Sequence, residues 1–469
     1  MKPDPLLRQI AHWCVNLRLD DVPDEVTHVA KTALTDYVAV TIAGSEMPVA
    51  RKLQQFAMQR APQGNCSVFG TEQKTSMAYA SYANGAASHA LDFDDVSWAT
   101  IGHPTVTVAP VAFAAAEEGK LGGESVLLAY IAGVEAQHQI AKWVMPQLSE
   151  QGWHTTPAIG VFGATVAAGL LQGLDETALT NALAIAASSA SGVRGNFGSQ
   201  TKAMHAGMAA FNGVNAVELA MLGVTGKPNV IEAADGFAQC FTGISSLEGV
   251  EVTLGRQWDL LENGLVFKQY PCCSGSHPAI DCWDALIVER GLVERGLVGK
   301  ELGERVLDPD DIEYIQVGAS LLGPRELVCD HPQNVIEAKF SMQYALAARL
   351  IHGAVGLDQF TDEAVRDPRV QALMSKIRMR VDPELEKLGF IGTAPVKIRV
   401  YLANGETLSI ENDLAKGTPE KPLSQAEIEK KFTSCVVPRV GEHKCQHWLS
   451  ALANLEAMTF SELNQLLNS

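Results

Sequence analysis

Residues 155–174, TTPAIGVFGATVAAGLLQGL, decide between two very different folds. The stretch has no charged residue and is about as long as a helix that crosses a bilayer. Its glycines, alanines and threonines make it only weakly hydrophobic, however, and such small residues suit close packing between helices. The stretch therefore predicts a helix buried inside a large helical domain.

The sequence around this stretch has the same helical character. From residue 4 to residue 264, apolar residues recur at three- and four-residue spacing, as at Leu6, Ile10 and Trp13. Alanine-rich windows favour closely packed helices, and glycines and prolines separate them. Because 469 residues exceed what one hydrophobic core usually supports, we expect a second domain as well.

The second domain begins near residue 267, where the pattern becomes mixed. Segments 312–317 and 376–381 alternate between apolar and polar residues, which predicts half-buried strands. Asn404-Gly405, between segments 396–402 and 407–410, indicates a β-hairpin, and helical periodicity returns near Ser424. We therefore predict a mostly α protein with an α+β second domain. Both ends of the chain, residues 1–266 and 413–469, form a large all-helical domain, and residues 267–412 form a smaller inserted α+β lid domain.

Composition narrows the functional classes. A net charge of −18 and the lack of a Lys/Arg run argue against nucleic-acid binding. Nine cysteines without disulfide-framework spacing indicate reduced thiols, and the N-terminus lacks the apolar region of a secretory signal. We therefore expect a cytoplasmic protein that binds neither nucleic acid nor a membrane, although a few cations inside a cleft can still bind a small anion.

The densest polar cluster in an apolar context is HALDFDDVSWATIGHP, residues 89–104. Its three carboxylates and two imidazoles, among them Asp92 and His103, offer a general acid and a general base. A solvated turn whose aspartates cap helices explains the same composition. A metal site is a third interpretation, but the spacing matches no familiar metal-binding motif, and we expect no metal.

Two further segments place imidazoles or cations at predicted helix starts. His154 precedes the charge-free helix, where the helix dipole opposes protonation of the ring, unless it simply caps that helix. Arg194, Thr201 and Lys202 accompany glycines before a helix of small residues, a pattern that suits an anion. Thr201 is predicted to cap this helix, and Lys202 is either an anion-binding cation or a surface lysine.

The fourth segment, FKQYPCCSGSH at residues 267–277, lies at the predicted domain junction. Lys268 offers a second cation to a substrate. Cys273 and His277 could form a thiolate nucleophile pair. Without an identifiable third, orienting group, packing and capping explain the two residues better.

Taken together, these segments resemble the MmgE/PrpD family. The resemblance rests on residues 89–95, His103-Pro104, residues 152–154, Thr201-Lys202 and residues 268–278. It includes AKFSMQY at residues 338–344 and runs over nearly the whole chain in the expected order. The family includes 2-methylcitrate dehydratase, cis-aconitate decarboxylase and iminodisuccinate epimerase.

The resemblance implies a cofactor-independent enzyme that transfers protons on a small anionic polycarboxylate. It implies a homodimer and neither a metal nor an organic cofactor. The family's pocket positions fall on Asp92, His103, His154, Lys202 and Lys268, and Ser97 lies near a threonine of the decarboxylase branch. As substrate-binding candidates we take Ser97, Arg194, Thr201, Cys273 and His277.

This chemistry needs these residue types. Moving a proton beside a carboxylate builds negative charge that preorganised lysines stabilise, and imidazoles with an ordinary pKa of about 6.5 exchange protons at neutral pH. Three hypotheses follow: a lyase, either dehydratase or decarboxylase, acting on a tricarboxylate; an epimerase of an imino- or hydroxy-dicarboxylate; and a catalytically silent helical scaffold. The joint presence of the five pocket residues disfavours the scaffold.

Overall fold

The computed structural model describes residues 4–289, 307–389 and 393–467. This part of the chain divides into two compact units. The first comprises the described residues up to Gly195, then Thr201–Phe267 and the residues from Leu423 onward. The second comprises Asn196–Gln200 and the described residues of Lys268–Pro422. Helices dominate and the larger sheet lies in the second unit, which confirms the predicted fold class.

The first unit is built from helices that follow one another along the chain. They are α1 (Leu6–Asn16), α2 (Asp24–Gly44), α3 (Pro48–Arg60), α4 (Met77–His89), α5 (Thr105–Gly119), α6 (Gly123–Val144), α7 (Gln147–Glu150), α8 (Thr155–Leu171), α9 (Glu176–Ser189), α10 (Gln200–Met221) and α11 (Phe237–Thr242). Two short antiparallel strands, β1 (Cys66–Ser67) and β2 (Lys74–Thr75), lie between α3 and α4.

Helix α8 is the helix predicted from the charge-free stretch. It packs against α5, α6 and α9, and residues 155–169 are all buried. Gly163 lets α8 approach α6 closely, because a Cβ atom at this position would lie 2.7 Å from the carbonyl oxygen of Gly133. In residues 4–289, 307–389 and 393–467, no helix is long and apolar enough to cross a membrane.

The second unit contains a four-stranded mixed sheet. Its strands are β3 (Ile312–Ala319), β4 (Ile377–Val381), β5 (Val396–Leu402) and β6 (Thr407–Asn412), in the order β4-β3-β5-β6. Strands β3 and β4 are parallel, and the other pairs are antiparallel. The predicted hairpin is confirmed: β5 pairs with β6, and Gly405 at the turn has a φ of +87°, which glycine adopts without strain.

The second unit also contains helices. They are α12 (His277–Glu289), α13 (Gly323–Glu326), α14 (Val335–Ala338), α15 (Met342–His352), α16 (Asp362–Val365), α17 (Pro368–Met374) and α18 (Pro383–Glu386). Of these, α12, α13 and α15 contact strands of the sheet. Helices α12 and α15 carry much of the apolar contact, through residues such as Trp283 and Tyr344. The chain then returns to the first unit with α19 (Gln425–Val440), α20 (Glu442–Ala453) and α21 (Phe460–Leu467).

The division differs from the predicted domain limits at three places, of which the smallest is Phe267, which groups with the first unit. Residues 413–422 group with the second unit, where the Lys416 backbone N–H donates to the Asp281 carboxylate at 2.6 Å. Asn196–Gln200 also belong to that unit, and the Phe197 ring lies 5.7 Å from the Phe340 ring. Such single contacts leave no periodic pattern in the sequence. All nine cysteines lie in the described residues and have free thiols, as predicted.

Candidate active site

The segment that joins α4 to α5, residues 90–104, is the polar loop of the first unit. Its carboxylates are buried: Asp92, Asp94 and Asp95 are each at most 2% exposed. The interpretation as a solvated turn is therefore wrong. Asp92 has a φ of +53°, a left-handed conformation that few residues other than glycine adopt, and antiparallel bridges at Val96 and Ser97 hold the loop.

Asp92 forms an ion pair with Lys202, which lies in the first turn of α10. Lys202 is only 5% exposed, so it is not a surface lysine. Thr201 does not cap this helix as predicted, because α10 begins one residue earlier, at Gln200. A buried ammonium beside a carboxylate is costly to desolvate, and it is retained in proteins where its charge is paired or used.

His103 and His89 share one carboxylate of the polar loop. Nδ1 of His103 lies 2.7 Å from Oδ2 of Asp94, and Nδ1 of His89 lies 3.0 Å from the same oxygen. Burial alone would raise the pKa of Asp94, but the two imidazoles outweigh burial and hold that pKa well below its ordinary value. An ionised carboxylate favours a proton on the nearest ring nitrogen, so each ring is expected to be protonated on Nδ1 and to keep Nε2 for other chemistry.

These three groups also satisfy the chemistry of a metal site, because one ligand atom of each lies within 4.8 Å of the others. The 3.0 Å separation between His89 Nδ1 and Asp94 fits an N–H···O hydrogen bond, and the 2.7 Å separation between His103 Nδ1 and Asp94 is a close ion-pair contact. Two histidines and one carboxylate are a known ligand set for divalent iron. We interpret the group as a carboxylate held between two imidazoles, and treatment with EDTA separates the two interpretations.

Asp95, the next residue, has the opposite protonation behaviour. Burial raises its pKa to about 8, with Asp36 and Asp94 nearby adding to the rise and the Thr105 hydroxyl, which donates to Oδ2, opposing it. Asp95 is therefore mainly protonated at neutral pH, beside an ionised Asp94. Helix α19 also contacts this loop. The Lys431 ammonium on α19 donates to the carbonyl of Phe93 at 2.7 Å and pairs with Asp36 at 2.6 Å.

His154 is the residue just before α8, and it forms no side-chain cap with that helix. Its Nδ1 lies instead 3.0 Å from Nδ1 of His205 on α10. Burial, then the positive charge of Lys202, lowers the pKa of His154 well below its usual value. Burial, then His89 and Lys202, lowers the pKa of His205 to about 4. Both rings are therefore neutral at pH 7.

The polar loop joins these groups into one cluster within the first unit. The rings of His89 and His103 are 4.4 Å apart, and those of His89 and His154 are 6.0 Å apart and nearly parallel. Four of the five predicted catalytic residues thus lie together in the first unit: Asp92, His103, His154 and Lys202. Lys268, the fifth, belongs to the second unit and is fully buried.

The predicted substrate-binding residues have varied surroundings. The Ser97 hydroxyl lies 2.7 Å from Nε2 of His138 on α6, and both residues are fully buried. Arg194 Nη1 donates to the Ser149 hydroxyl at 3.2 Å, and its backbone N–H donates to Gly152.

In the second unit, Cys273 Sγ lies 3.5 Å from Oε2 of Glu326. Nε2 of His277 lies 3.2 Å from the carbonyl oxygen of Cys272, and the His277 ring packs edge-on against Tyr270 at 5.1 Å. The substrate-binding role of the five candidates stays a prediction.

Sequence reasoning did not single out His205 or His138. His205 follows Lys202 by three residues, and residues at that spacing share a helix face, so this signal was available. His138 lies 41 residues from Ser97 in the sequence, and no local pattern links them. Asp94 lies in the same polar cluster, but composition alone does not distinguish the roles of three neighbouring aspartates.

Comparisons with known proteins give matches over nearly the whole chain. The model of the MmgE/PrpD N-terminal domain matches residues 8–249, and that of the MmgE/PrpD C-terminal domain matches residues 270–457. The chain is 29% identical to cis-aconitate decarboxylase of Mus musculus, over 89% of this chain and 83% of that protein. It is 28% identical to cis-aconitate decarboxylase of Aspergillus terreus, over 98% of this chain and 95% of that protein. The mitochondrial 2-methylcitrate dehydratase of Yarrowia lipolytica is 28% identical over 44% of this chain and 38% of its own.

Proposed function

The chain belongs to the MmgE/PrpD family, and from that premise we propose that it is a lyase acting on a small tricarboxylate. Loss of carbon dioxide from a molecule of the cis-aconitate type is the first reaction to test, because the relatives with that name match over most of their length. Loss of water from a molecule of the 2-methylcitrate type is the second, since that relative matches over a shorter part.

The observation that carries the proposal is the buried cluster of two neutral imidazoles, a carboxylate-bound imidazole and an ammonium in the first unit. Such a set can move a proton and stabilise the charge that the move creates. The side chain of His103 is 10% exposed, and that of Lys202 is 6% exposed. Fixed charges shielded from water act more strongly on a substrate than the same charges at a surface.

We assign the proton acceptor to His103. Nδ1 of His103 lies 2.7 Å from the ionised Asp94 carboxylate, which favours a proton on Nδ1 and leaves Nε2 of a neutral His103 with a lone pair for a substrate proton. The ionised carboxylate then stabilises the imidazolium that forms, as in other carboxylate–histidine pairs. In a dehydration, the C–H electron pair forms the double bond and the leaving hydroxide takes a proton from an acid.

We assign the proton donor to His154. Its low pKa makes it neutral at pH 7, so it donates as an imidazole rather than as an imidazolium. In a decarboxylation, the electron pair of the broken C–C bond goes to the carbon skeleton, and the carbon takes its proton from this ring. Lys202 is the cation for a substrate carboxylate, for which Asp92 is the resting partner. Lys268 stays a predicted second cation.

The test follows each candidate substrate by proton NMR in D₂O. The protein is incubated with cis-aconitate, 2-methylcitrate, citrate and iminodisuccinate, and each reaction is run with and without EDTA. Loss of carbon dioxide with uptake of one deuteron, or loss of water, supports the lyase. Exchange or inversion without loss of either molecule indicates an isomerase instead, and no change in any substrate contradicts the proposal.

The EDTA arm addresses the cluster of His89, Asp94 and His103. We propose that the enzyme needs no metal or organic cofactor, so turnover should be the same in both arms. Activity that falls with EDTA and returns with a divalent metal would show that these residues bind a metal. We also propose a cytoplasmic homodimer, for which light scattering after gel filtration should give twice the mass of one chain, 50.2 kDa.

A further inference from the structure

We propose that His205 and His154 form a two-ring proton relay, in which His205 sets the tautomer of His154 and returns its proton after each turnover. The inference rests on the proposed function for its catalytic part, but its structural part stands on the Nδ1–Nδ1 contact alone. The two nitrogens are 3.0 Å apart, the ring centroids are 5.2 Å apart, and both residues are 3% exposed.

Two Nδ1 atoms in hydrogen-bond contact share one proton between them. Two N–H groups would repel each other, and two lone pairs would do the same, so one ring donates and the other accepts. A neutral imidazole has a proton on one nitrogen only. The donor ring therefore has a bare Nε2, and the acceptor ring has a protonated Nε2.

Burial, together with the positive groups around the pair, keeps both rings neutral. Lys202 lies one helical turn before His205 on α10, His89 lies at the end of α4, and His103 belongs to the polar loop. Two carboxylates of that loop contact other groups: Asp92 pairs with Lys202, and Asp94 lies within 3.0 Å of Nδ1 of both His89 and His103. A second proton on His154 or His205 would thus be buried beside an ammonium, which is unfavourable.

The relay moves three protons and leaves no charge on either ring. It starts with His205 as donor, so that His154 has its proton on Nε2. That proton passes to the substrate carbon or to the leaving hydroxide. Nδ1 of His154 takes the Nδ1 proton of His205, and Nε2 of His205 takes a proton from solvent. Both rings end neutral in the opposite tautomer. After the product leaves, Nε2 of His154 takes a proton from solvent, the Nδ1 proton returns to Nδ1 of His205, and Nε2 of His205 releases a proton to solvent, which restores the starting state.

The first test needs no substrate. In ¹⁵N-histidine-labelled protein at pH 7, one ring of the pair should have a protonated Nδ1 and the other a protonated Nε2. The His205→Leu variant identifies the signals. Two rings that both have a protonated Nε2 and a bare Nδ1 would overturn the relay, whatever substrate the enzyme uses.

The second test uses turnover with the substrate found by NMR. His205→Leu should lower kcat by about 100-fold with little change in KM, the size expected for loss of acid–base assistance. His205→Asn keeps an amide N–H near the Nδ1 position, so it should recover part of kcat by holding His154 in place. It cannot pass a proton on, so kcat plotted against the deuterium fraction of the solvent should change from a curve to a straight line.

His12→Leu is the control, since this exposed histidine of α1 pairs only with Glu176 in the described residues, at 2.8 Å. Its kcat and its solvent isotope profile should match those of the wild type. Wild-type turnover together with a His205→Leu variant that keeps more than half of kcat would overturn the relay and leave the lyase standing. If the wild type changes no tricarboxylate, the proposed function fails, and the labelled-histidine spectra still decide the relay.

Discussion

Helix α8 and the polar loop are neighbours in the first unit, and both are buried, but for different reasons. The helix has no charged residue and packs by shape, down to the glycine contact with α6. The loop has three aspartates and a histidine, and it is buried because partners come from α4, α10, α19 and the start of α5. Two contacts join the regions: Thr155 donates to the carbonyl of Ile101, and the N–H of His103 donates to Thr156.

The difference separates what holds the fold from what performs the chemistry. Apolar burial contributes about 25 cal/mol per Å² at any pH and does not depend on one partner. A buried carboxylate contributes only while its proton state and its partner fit. Changes in the helix should therefore alter stability first, whereas changes in the loop should alter activity and pH dependence first.

The largest effect should come from Lys202→Ala, which removes the cation of the polar cluster. Turnover should fall about 1,000-fold, the size expected for loss of a charge that stabilises the transition state. The fold should remain, because Asp92 can take up a proton once the ammonium has gone. Lys31→Ala is the control. Lys31 Nζ lies 2.9 Å from Oε1 of Glu456, and neither residue belongs to the cluster. Near-normal turnover by Lys202→Ala would show that the site is assigned wrongly.

The next largest effect is expected from a change in helix α8, and it concerns stability rather than turnover. Gly163→Ala places a Cβ atom 2.7 Å from a backbone carbonyl oxygen that has little room to move. The free energy of unfolding should fall by about 2 kcal/mol, within the range for overpacked cores. Gly195→Ala, where nothing lies within 4 Å of the added atom, should change it by less than about 0.5 kcal/mol. Equal effects in urea denaturation would mean that the α6–α8 contact is loose.

The smallest expected effect is a change of the free energy of unfolding with pH, which depends on Asp95. The pKa of Asp95 is raised from 3.8 to about 8, so its contribution to stability is full below pH 4 and is lost as pH rises towards 8. Asp95→Asn stays neutral at every pH, and Thr105 can still donate to the amide oxygen. Relative to the wild type, the variant should therefore gain stability with rising pH, by up to about 1.4 kcal/mol per pH unit.

Urea denaturation at several values between pH 5 and pH 8 measures this gain. The exposed Asp20→Asn variant should follow the wild type at each pH. A constant difference between Asp95→Asn and the wild type would show that Asp95 is already ionised in the folded protein.

The sequence predicts the regular parts of this molecule better than the partners of its charges. The charge-free stretch and Asn404-Gly405 are local signals, and α8 and the β5–β6 hairpin follow from them. Asp94 and Asp95 have the same side chain and adjacent positions, yet their pKa values shift in opposite directions. Burial raises both pKa values, but at Asp94 the imidazoles of His89 and His103 outweigh it, and no local pattern predicts which aspartate they contact.

In the predicted site, too, local patterns indicate some residues but not their partners. Lys202 and His154 could be singled out because each stands at a predicted helix start. His205 gave a signal only in combination with Lys202, and the Thr201 cap was wrong because a helix boundary cannot be fixed to one residue from propensity.

The contact of Lys431 with the polar loop also has a consequence for how the protein is made. Its ammonium binds the carbonyl of Phe93 and lies 4.1 Å above the ring of the same residue. During synthesis on the ribosome, 338 residues must follow Phe93 before this partner exists. Until then the Lys431 ammonium cannot bind Asp36 or the backbone of the polar loop. The nascent chain should therefore form its apolar helices well before the polar loop has all its partners. A ribosome stalled between the two residues would therefore display a compact but inactive intermediate.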